Sequence, residues 1–166
     1  MLETGKNISG APGRFDRIEG PMEIYVDYAH TEKAMEVVLK TFSSLKTNHL
    51  TVVFGCGGER DKEKRWKMGA LACQYAEHVI LTNDNPRSED PKQIIKDIQK
   101  GCDGREIVLY DRIEAIKKAM NSYQNGDIIV LVGRGAEKKQ KTKAGGLSLS
   151  DREIVLSILN GEDFKC

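Results

Sequence analysis

Asp84-Asn85-Pro86-Arg87 follows directly on the apolar run His78-Val79-Ile80-Leu81-Thr82 and precedes Asp90-Pro91. The run reads as a buried strand, and Asp90-Pro91 as a helix start. An Asn amide and an Arg guanidinium are thus displayed on a short loop at the carboxyl end of a strand, where open α/β sheets bind ligands. A guanidinium is a rigid fork of donors that matches a carboxylate bidentately. A carboxylate-bearing small molecule is the ligand this implies. Taken alone, the tetrapeptide also fits ordinary turn chemistry with a solvated arginine.

Other strand-end loops carry comparable groups. Asp27-Tyr28-Ala29-His30 offers an acid that can accept from ribose hydroxyls and an imidazole that can stack or titrate. Equally, His30 and Thr31 simply open a helix. Gly55-Cys56-Gly57-Gly58-Glu59-Arg60-Asp61-Lys62 clusters glycines ahead of a helix, which lets backbone N–H groups approach an anion. It is neither a P-loop nor the G-x-G-x-x-G dinucleotide fingerprint. Gly133-Arg134-Gly135-Ala136-Glu137 combines close backbone approach with one carboxylate. A carboxylate there, opposite Arg60 and Arg87, suits a zwitterion: arginines for its carboxylate, Glu137 for its ammonium. Gly10-Ala11-Pro12-Gly13-Arg14-Phe15 places Arg14 on a rigid turn, where it could clamp a phosphate. The sequence spacing offers no nucleophile–base pair, no Walker lysine and no metal-ligand cluster. The chain reads as part of a larger site.

The elements that must hold these loops alternate. Strands are expected at 23–28, 50–55, 78–82, 106–110 and 127–132. Helices are expected at 31–46, 64–77, from Asp90 to about Lys100, from Asp111 to about Tyr123, and from Ser150 to Leu159. Ala34, Val38, Phe42 and Leu45 mark one apolar face of the first helix; Ile94, Ile95 and Ile98 mark that of the third. This order predicts an α/β fold: a Rossmann-like, mostly parallel sheet with helices on both faces. The first dozen residues and the cationic 138–146 stretch are expected to be mobile.

Bulk properties narrow the function. The 166 residues suffice for one domain with a core. A net charge of +1 supplies no basic field for nucleic acid. No apolar run has the length of a membrane span. Cysteines 56, 73, 102 and 166 lack the close spacing of a zinc or redox motif, and Cys73 is expected to pack as a small hydrophobe. Reduced thiols and the absence of a secretory signal predict a cytoplasmic protein.

Six motifs in this order resemble the C-terminal domain of the Mur ligases, most of all the branch that adds meso-diaminopimelate. They are Pro12-Gly13-Arg14-Phe15, Asp27-Tyr28-Ala29-His30-Thr31, Phe54 through Asp61, Asp84 through Arg87, Gly133 through Glu137, and Ser150-Asp151-Arg152-Glu153. The resemblance implies a domain over 13–166, with 1–12 an interdomain lead-in. It implies peptidoglycan-precursor synthesis, hence roles in cell shape and division. The family uses ATP and Mg²⁺ to activate a D-glutamate carboxylate of a UDP-MurNAc-dipeptide as an acyl phosphate, which an amino acid's amine then attacks. By motif, Arg14, Asp27 and His30 would contact ATP; Arg60, Asp84, Asn85, Arg87, Gly133 and Glu137 would bind the incoming amino acid. The Asp-Asn-Pro-Arg motif goes with meso-diaminopimelate, whose far carboxylate lysine lacks; an unpaired buried arginine would cost several kcal/mol. Lanthionine would satisfy the same groups.

Where the family often has Gly-Lys-Gly-His-Glu, this chain has Gly133-Arg134-Gly135-Ala136-Glu137. The family's central ATPase domain, with its P-loop and magnesium ligands, is missing. The domain alone is therefore expected to bind no cofactor and to be inactive. Two alternatives stand beside this: a stand-alone, non-catalytic diamino-acid-binding module, or a sister ligase of the murein-peptide-recycling or folylpolyglutamate type. The latter type should lack the Asn85/Arg87 pair.

Overall fold

The computed structural model describes residues 10–138, 149–162 and 164. Most of the two stretches expected to be mobile, 1–9 and 139–146, lies outside the described residues. The sheet has six strands: β1 (Asp16–Ile18), β2 (Ile24–Asp27), β3 (Leu50–Phe54), β4 (His78–Leu81), β5 (Ile107–Val108) and β6 (Ile128–Val132), in the order β1-β2-β6-β3-β4-β5. All neighbouring pairs are parallel except β1 with β2. The helices are α1 (Glu32–Leu45), α2 (Glu63–Tyr75), α3 (Pro91–Gln99), α4 (Arg112–Asn121) and α5 (Asp151–Leu159).

Helices cover both faces, as the alternation predicts. From β2 to β5 the chain advances across the sheet in one sense, and α1, α2 and α3 bury Leu39, Met68 and Ile95 with Leu50, Val52 and Val130 on one face. It then turns back to insert β6 between β2 and β3. Right-handed crossovers demand a change of face when the advance reverses. Accordingly α4 and α5 bury Ile116 and Val155 with Val53, Ile80 and Leu131 on the other face. Central β3 and β6 are buried throughout, which explains their nearly continuous apolar sequences, broken only by Thr51.

Local signals set the helix starts. Asp90 and Asp111 accept from Lys92 N and Glu114 N at the starts of α3 and α4. The reciprocal capping box belongs to α5, between Ser150 and Glu153. Two expectations need correction. Strand β1 was not foreseen; it pairs antiparallel with β2 through Asp16, Arg17 and Ile18. The strand expected at 106–110 shrinks to two residues, because it is the sheet edge and pairs with β4 alone.

Beneath the carboxyl ends of β4 and β6 lies a buried charge network. Arg112, Arg134 and Asp151 are fully buried. Asp151 accepts from Arg112 Nε at 2.8 Å and Nη2 at 2.6 Å, and from Arg134 Nη1 at 3.5 Å. Arg112 also donates to the carbonyls of Asn83 and Val132, and Arg134 to those of Glu137 and Leu149. Burial works against the Arg112 charge, but the Asp151 carboxylate outweighs it and the pKa rises. Burial and the neighbouring Arg112 depress Arg134, which sits farther from that carboxylate. Removing one member of such a network strands the others in low dielectric. Asp151→Asn should therefore cost about 3–5 kcal/mol of stability, measured by chemical denaturation. A loss below about 1 kcal/mol would show the two arginines to be satisfied without it.

Candidate functional site

Strand β6 leads to α5 on one face, while its neighbours β2 and β3 lead to helices on the other. This divergence opens a crevice at the carboxyl edge of the sheet. A cleft of about 800 Å³ occupies it, and its walls include Tyr28, His30, Gly57, Arg60, Lys64, Asp84, Asn85, Arg87, Gly133 and Glu137. All six residues expected to bind the amino acid thus line one cavity, though they come from three separate loops.

The cleft carries groups of both charges: Arg60, Lys64 and Arg87 line it together with Glu32, Glu36, Asp61 and Glu137. Glu137 is held by two donors: Tyr28 Oη donates to Oε1 at 3.1 Å and Asn85 Nδ2 to Oε2 at 3.2 Å. The bond to this carboxylate, more than any other influence, holds the Tyr28 phenol pKa above its ordinary value. Arg60 is exposed and Arg87 half-buried. Arg87 Nη1 donates to the Gly58 carbonyl at 2.7 Å. That bond aims the guanidinium and leaves other donors of the fork for a ligand. A lining with both charges suits a molecule that carries both.

The loops are braced against each other. Gly58 N donates to the Asn85 carbonyl at 2.8 Å, and Glu59 N to Glu89 at 2.7 Å. The buried Arg65 joins Glu89 at 2.9 Å, Asp97 at 3.1 Å and the Gly57 carbonyl at 3.2 Å. Within this frame Glu59 and Arg87 take φ values of 55° and 52°, and Phe15 takes 46°. These are the three non-glycine residues with positive φ among those described, and all lie in loops around the cleft and its margin. Such backbone costs about 1 kcal/mol or more per residue and persists where surroundings enforce it.

Asp84 differs in kind from the other expected binding residues. It is only 8% exposed, and burial raises its carboxyl pKa despite Arg112 and Arg134 beneath it. It forms the cleft floor, above the charge network. Gly133, at φ 111°, passes so close that a Cβ there would lie 2.8 Å from Asp84 Oδ2. A side chain at 133 would both strain the backbone and invade this floor.

The three residues expected at a nucleotide do not share one cavity. Arg14 and Asp27 line a neighbouring hollow of about 420 Å³ with Phe15, Ala34, Val37 and Val38, whereas His30 lines the larger cleft. Thr31 and Lys33 border both. Asp27 is buried, and its oxygens already accept from Phe15 N at 2.9 Å and Ala29 N at 2.8 Å. It therefore knots the arginine turn to the β2–α1 loop. Each oxygen keeps a second acceptor site.

Sequence reasoning missed Tyr28, Lys64 and the supporting network. Tyr28 stood between Asp27 and His30 in a quoted motif, without a role. Its ring carries the Arg14 guanidinium 5.9 Å from its centroid and lies 4.8 Å from the His30 ring, so it spans the border between the two cavities. Lys64 Nζ reaches the His30 carbonyl at 2.8 Å.

Known proteins are similar to this chain in sequence and fold. The family model described as Mur ligase, glutamate ligase domain, matches residues 13–135. The UDP-N-acetylmuramoyl-L-alanyl-D-glutamate--2,6-diaminopimelate ligase of Syntrophomonas wolfei is 40% identical over 161 residues, covering 93% of this chain and 33% of that protein. The ligase of the same name from Aquifex aeolicus is 42% identical over 165 residues, covering 98% and 34%. A solved structure of a ligase of that name superimposes with a TM-score of 0.84 at 43% identity, over 93% of this chain and 32% of that one. A folylpolyglutamate synthase from Thermotoga maritima, at 20% identity and a TM-score of 0.58 over 76% and 28%, shares the fold alone. The chain spans about one third of the length of the curated relatives it matches. With the family model matching most of its length and such relatives covering nearly all of it, the chain belongs to the Mur ligases, as their C-terminal, glutamate ligase domain.

Proposed function

We propose that this domain binds the incoming amino acid for an ATP-dependent ligase that adds meso-diaminopimelate, or a similar diamino diacid, to UDP-MurNAc-L-Ala-D-Glu. The observation that carries this reading is the single cleft lined by Arg60, Arg87 and Glu137, the last held by Tyr28 and Asn85. The names of the most similar relatives support the same substrate. Glu137 would take an ammonium of the diamino acid, and the arginines a carboxylate. Asp84 and Gly133 would shape the floor rather than grip the ligand.

Arg87 is half-buried and already has one carbonyl partner. Its preference for a diacid over lysine therefore falls at the lower end of what an unpaired buried arginine would give.

ATP fits the smaller hollow in kind. Phe15, Ala34, Val37 and Val38 offer an apolar wall to a base, Arg14 offers charge to phosphate, and Asp27 keeps free acceptor positions for ribose. The nucleotide would supply the phosphoryl group that activates the acceptor's carboxylate. His30 would border both ligands from the rim of the larger cleft. Magnesium would fall to the central domain, since among the described residues the cleft groups no three metal-ligating side chains.

No described helix is long and apolar enough to cross a membrane. We place the ligase in the cytoplasm, where its nucleotide substrates are. The alternative of a stand-alone sensing module would keep the cleft but need no nucleotide hollow.

In the complete ligase, Arg87→Ala should raise the diaminopimelate KM about ten- to a hundredfold with little change in the KM for ATP, because a charge-assisted pair is lost. Steady-state kinetics would measure this, and an unchanged KM for diaminopimelate would refute the placement. The chain by itself should show no ligation of diaminopimelate to the dipeptide nucleotide with ATP. Turnover from it alone would overturn the division of labour between domains.

A further inference from the structure

At the opposite edge of the sheet, where the parallel strands begin, α2 and the end of α3 approach unusually closely. A Cβ on Gly101 would lie 1.7 Å from the Trp66 carbonyl oxygen, and one on Gly69 would lie 3.2 Å from the Cys102 sulfur. Only glycine permits this contact. Gly69 and Cys73 are four residues apart on α2 and share a face, so the close approach carries Cys73 toward Cys102. Glu106, just ahead of β5, completes the group. The two sulfurs and a Glu106 carboxylate oxygen lie within 4.8 Å of one another, and all three residues are half-buried.

We propose that Cys73, Cys102 and Glu106 form a binding site for a thiophilic divalent cation, with zinc as the best match. Two thiolates and one carboxylate are three of the donor types zinc prefers, and a water completes the tetrahedron. Two sulfurs each about 2.3 Å from a central ion lie no more than about 4.6 Å apart, and the three ligand atoms here already lie within 4.8 Å of one another, close enough to share one ion. The carboxylate is already oriented: Gln99 Nε2 donates to Oε1 at 3.0 Å and Gly104 N to Oε2 at 3.0 Å. Outer partners of this kind fix a ligand before the metal arrives. The sulfur of Cys102 is directed by the Ile98 carbonyl, 3.7 Å away.

Binding forms two metal–sulfur bonds and one metal–oxygen bond. It breaks two S–H bonds, and both protons pass to the buffer. The ion would pin α2 to the α3–β5 turn, remote from the cleft. Sequence spacing gave no hint, since Cys73 stands on α2, far along the chain from Cys102 and Glu106.

The test is cobalt titration of the reduced chain, read by thiolate-to-cobalt charge-transfer absorption, with zinc competing. The expected result is saturation at one cobalt per chain, displacement by zinc and release of two protons per ion. Cys73→Ser combined with Cys102→Ser should abolish the band, Glu106→Gln should weaken binding about tenfold, and Cys56→Ser should leave it unchanged. Absence of the band at stoichiometric cobalt, or its survival in the double serine variant while circular dichroism shows the fold intact, would overturn the proposal.

Discussion

The cleft depends on charged groups buried in its floor and beneath it. Arg112 and Arg134 are matched by Asp151 and Asp84, two positive groups against two negative, in a region with almost no exposure to solvent. Neither sign could be buried alone. Because these arginines also donate to the carbonyls of Asn83, Val132, Glu137 and Leu149, the network fixes the backbone of both loops that carry Asn85 and Glu137. A hydrophobic core of similar volume could support the sheet. It would offer no donors to those carbonyls, and the loops would lose their common anchor.

The upper layer of the site is built on that anchor by short bonds between loops and by local strain. Gly58 N to the Asn85 carbonyl, Arg87 to the Gly58 carbonyl and Arg65 to Glu89 join the β3 and β4 loops. The unfavourable φ angles of Glu59 and Arg87 are thereby stabilised, and with them the direction of the Arg87 side chain. Tyr28 joins the remaining loop by holding Glu137. Groups from four strand-end loops thus meet in fixed relative positions before any ligand binds, which lowers the ordering cost of recognition.

Much of this was legible in the sequence. The alternation of apolar runs and amphipathic segments gave the parallel sheet and its two helical layers, because each β-strand buried on both faces must be apolar throughout. That Arg60, Asn85, Arg87 and Glu137 would gather at one cleft was legible because they stand on polar loops at strand ends. What escaped was decided by tertiary contact. Asp16-Arg17-Ile18 is too short and polar to signal a strand, and becomes one only by pairing with β2. Arg134 and Arg112 look like solvated charges, since nothing local distinguishes a buried arginine whose partner lies on another element. Asp84 shares a motif with Asn85 and Arg87 and lines the same cleft, but its burial was not legible from the motif. Asp27 and His30, three positions apart, line different cavities for the same reason: one side chain turns inward to cap backbone N–H groups, and the other outward.

The central claim is that the arginines and Glu137 of one cleft read a diamino diacid through groups of both charges. Amino-acid selectivity of the complete ligase tests it most directly, as the ratio of kcat/KM for meso-diaminopimelate to that for L-lysine. The far carboxylate should be worth at least about tenfold in that ratio, the equivalent of one charge-assisted hydrogen bond. A ratio near one would mean that the arginines do not touch the ligand's distal carboxylate, and would contradict the claim.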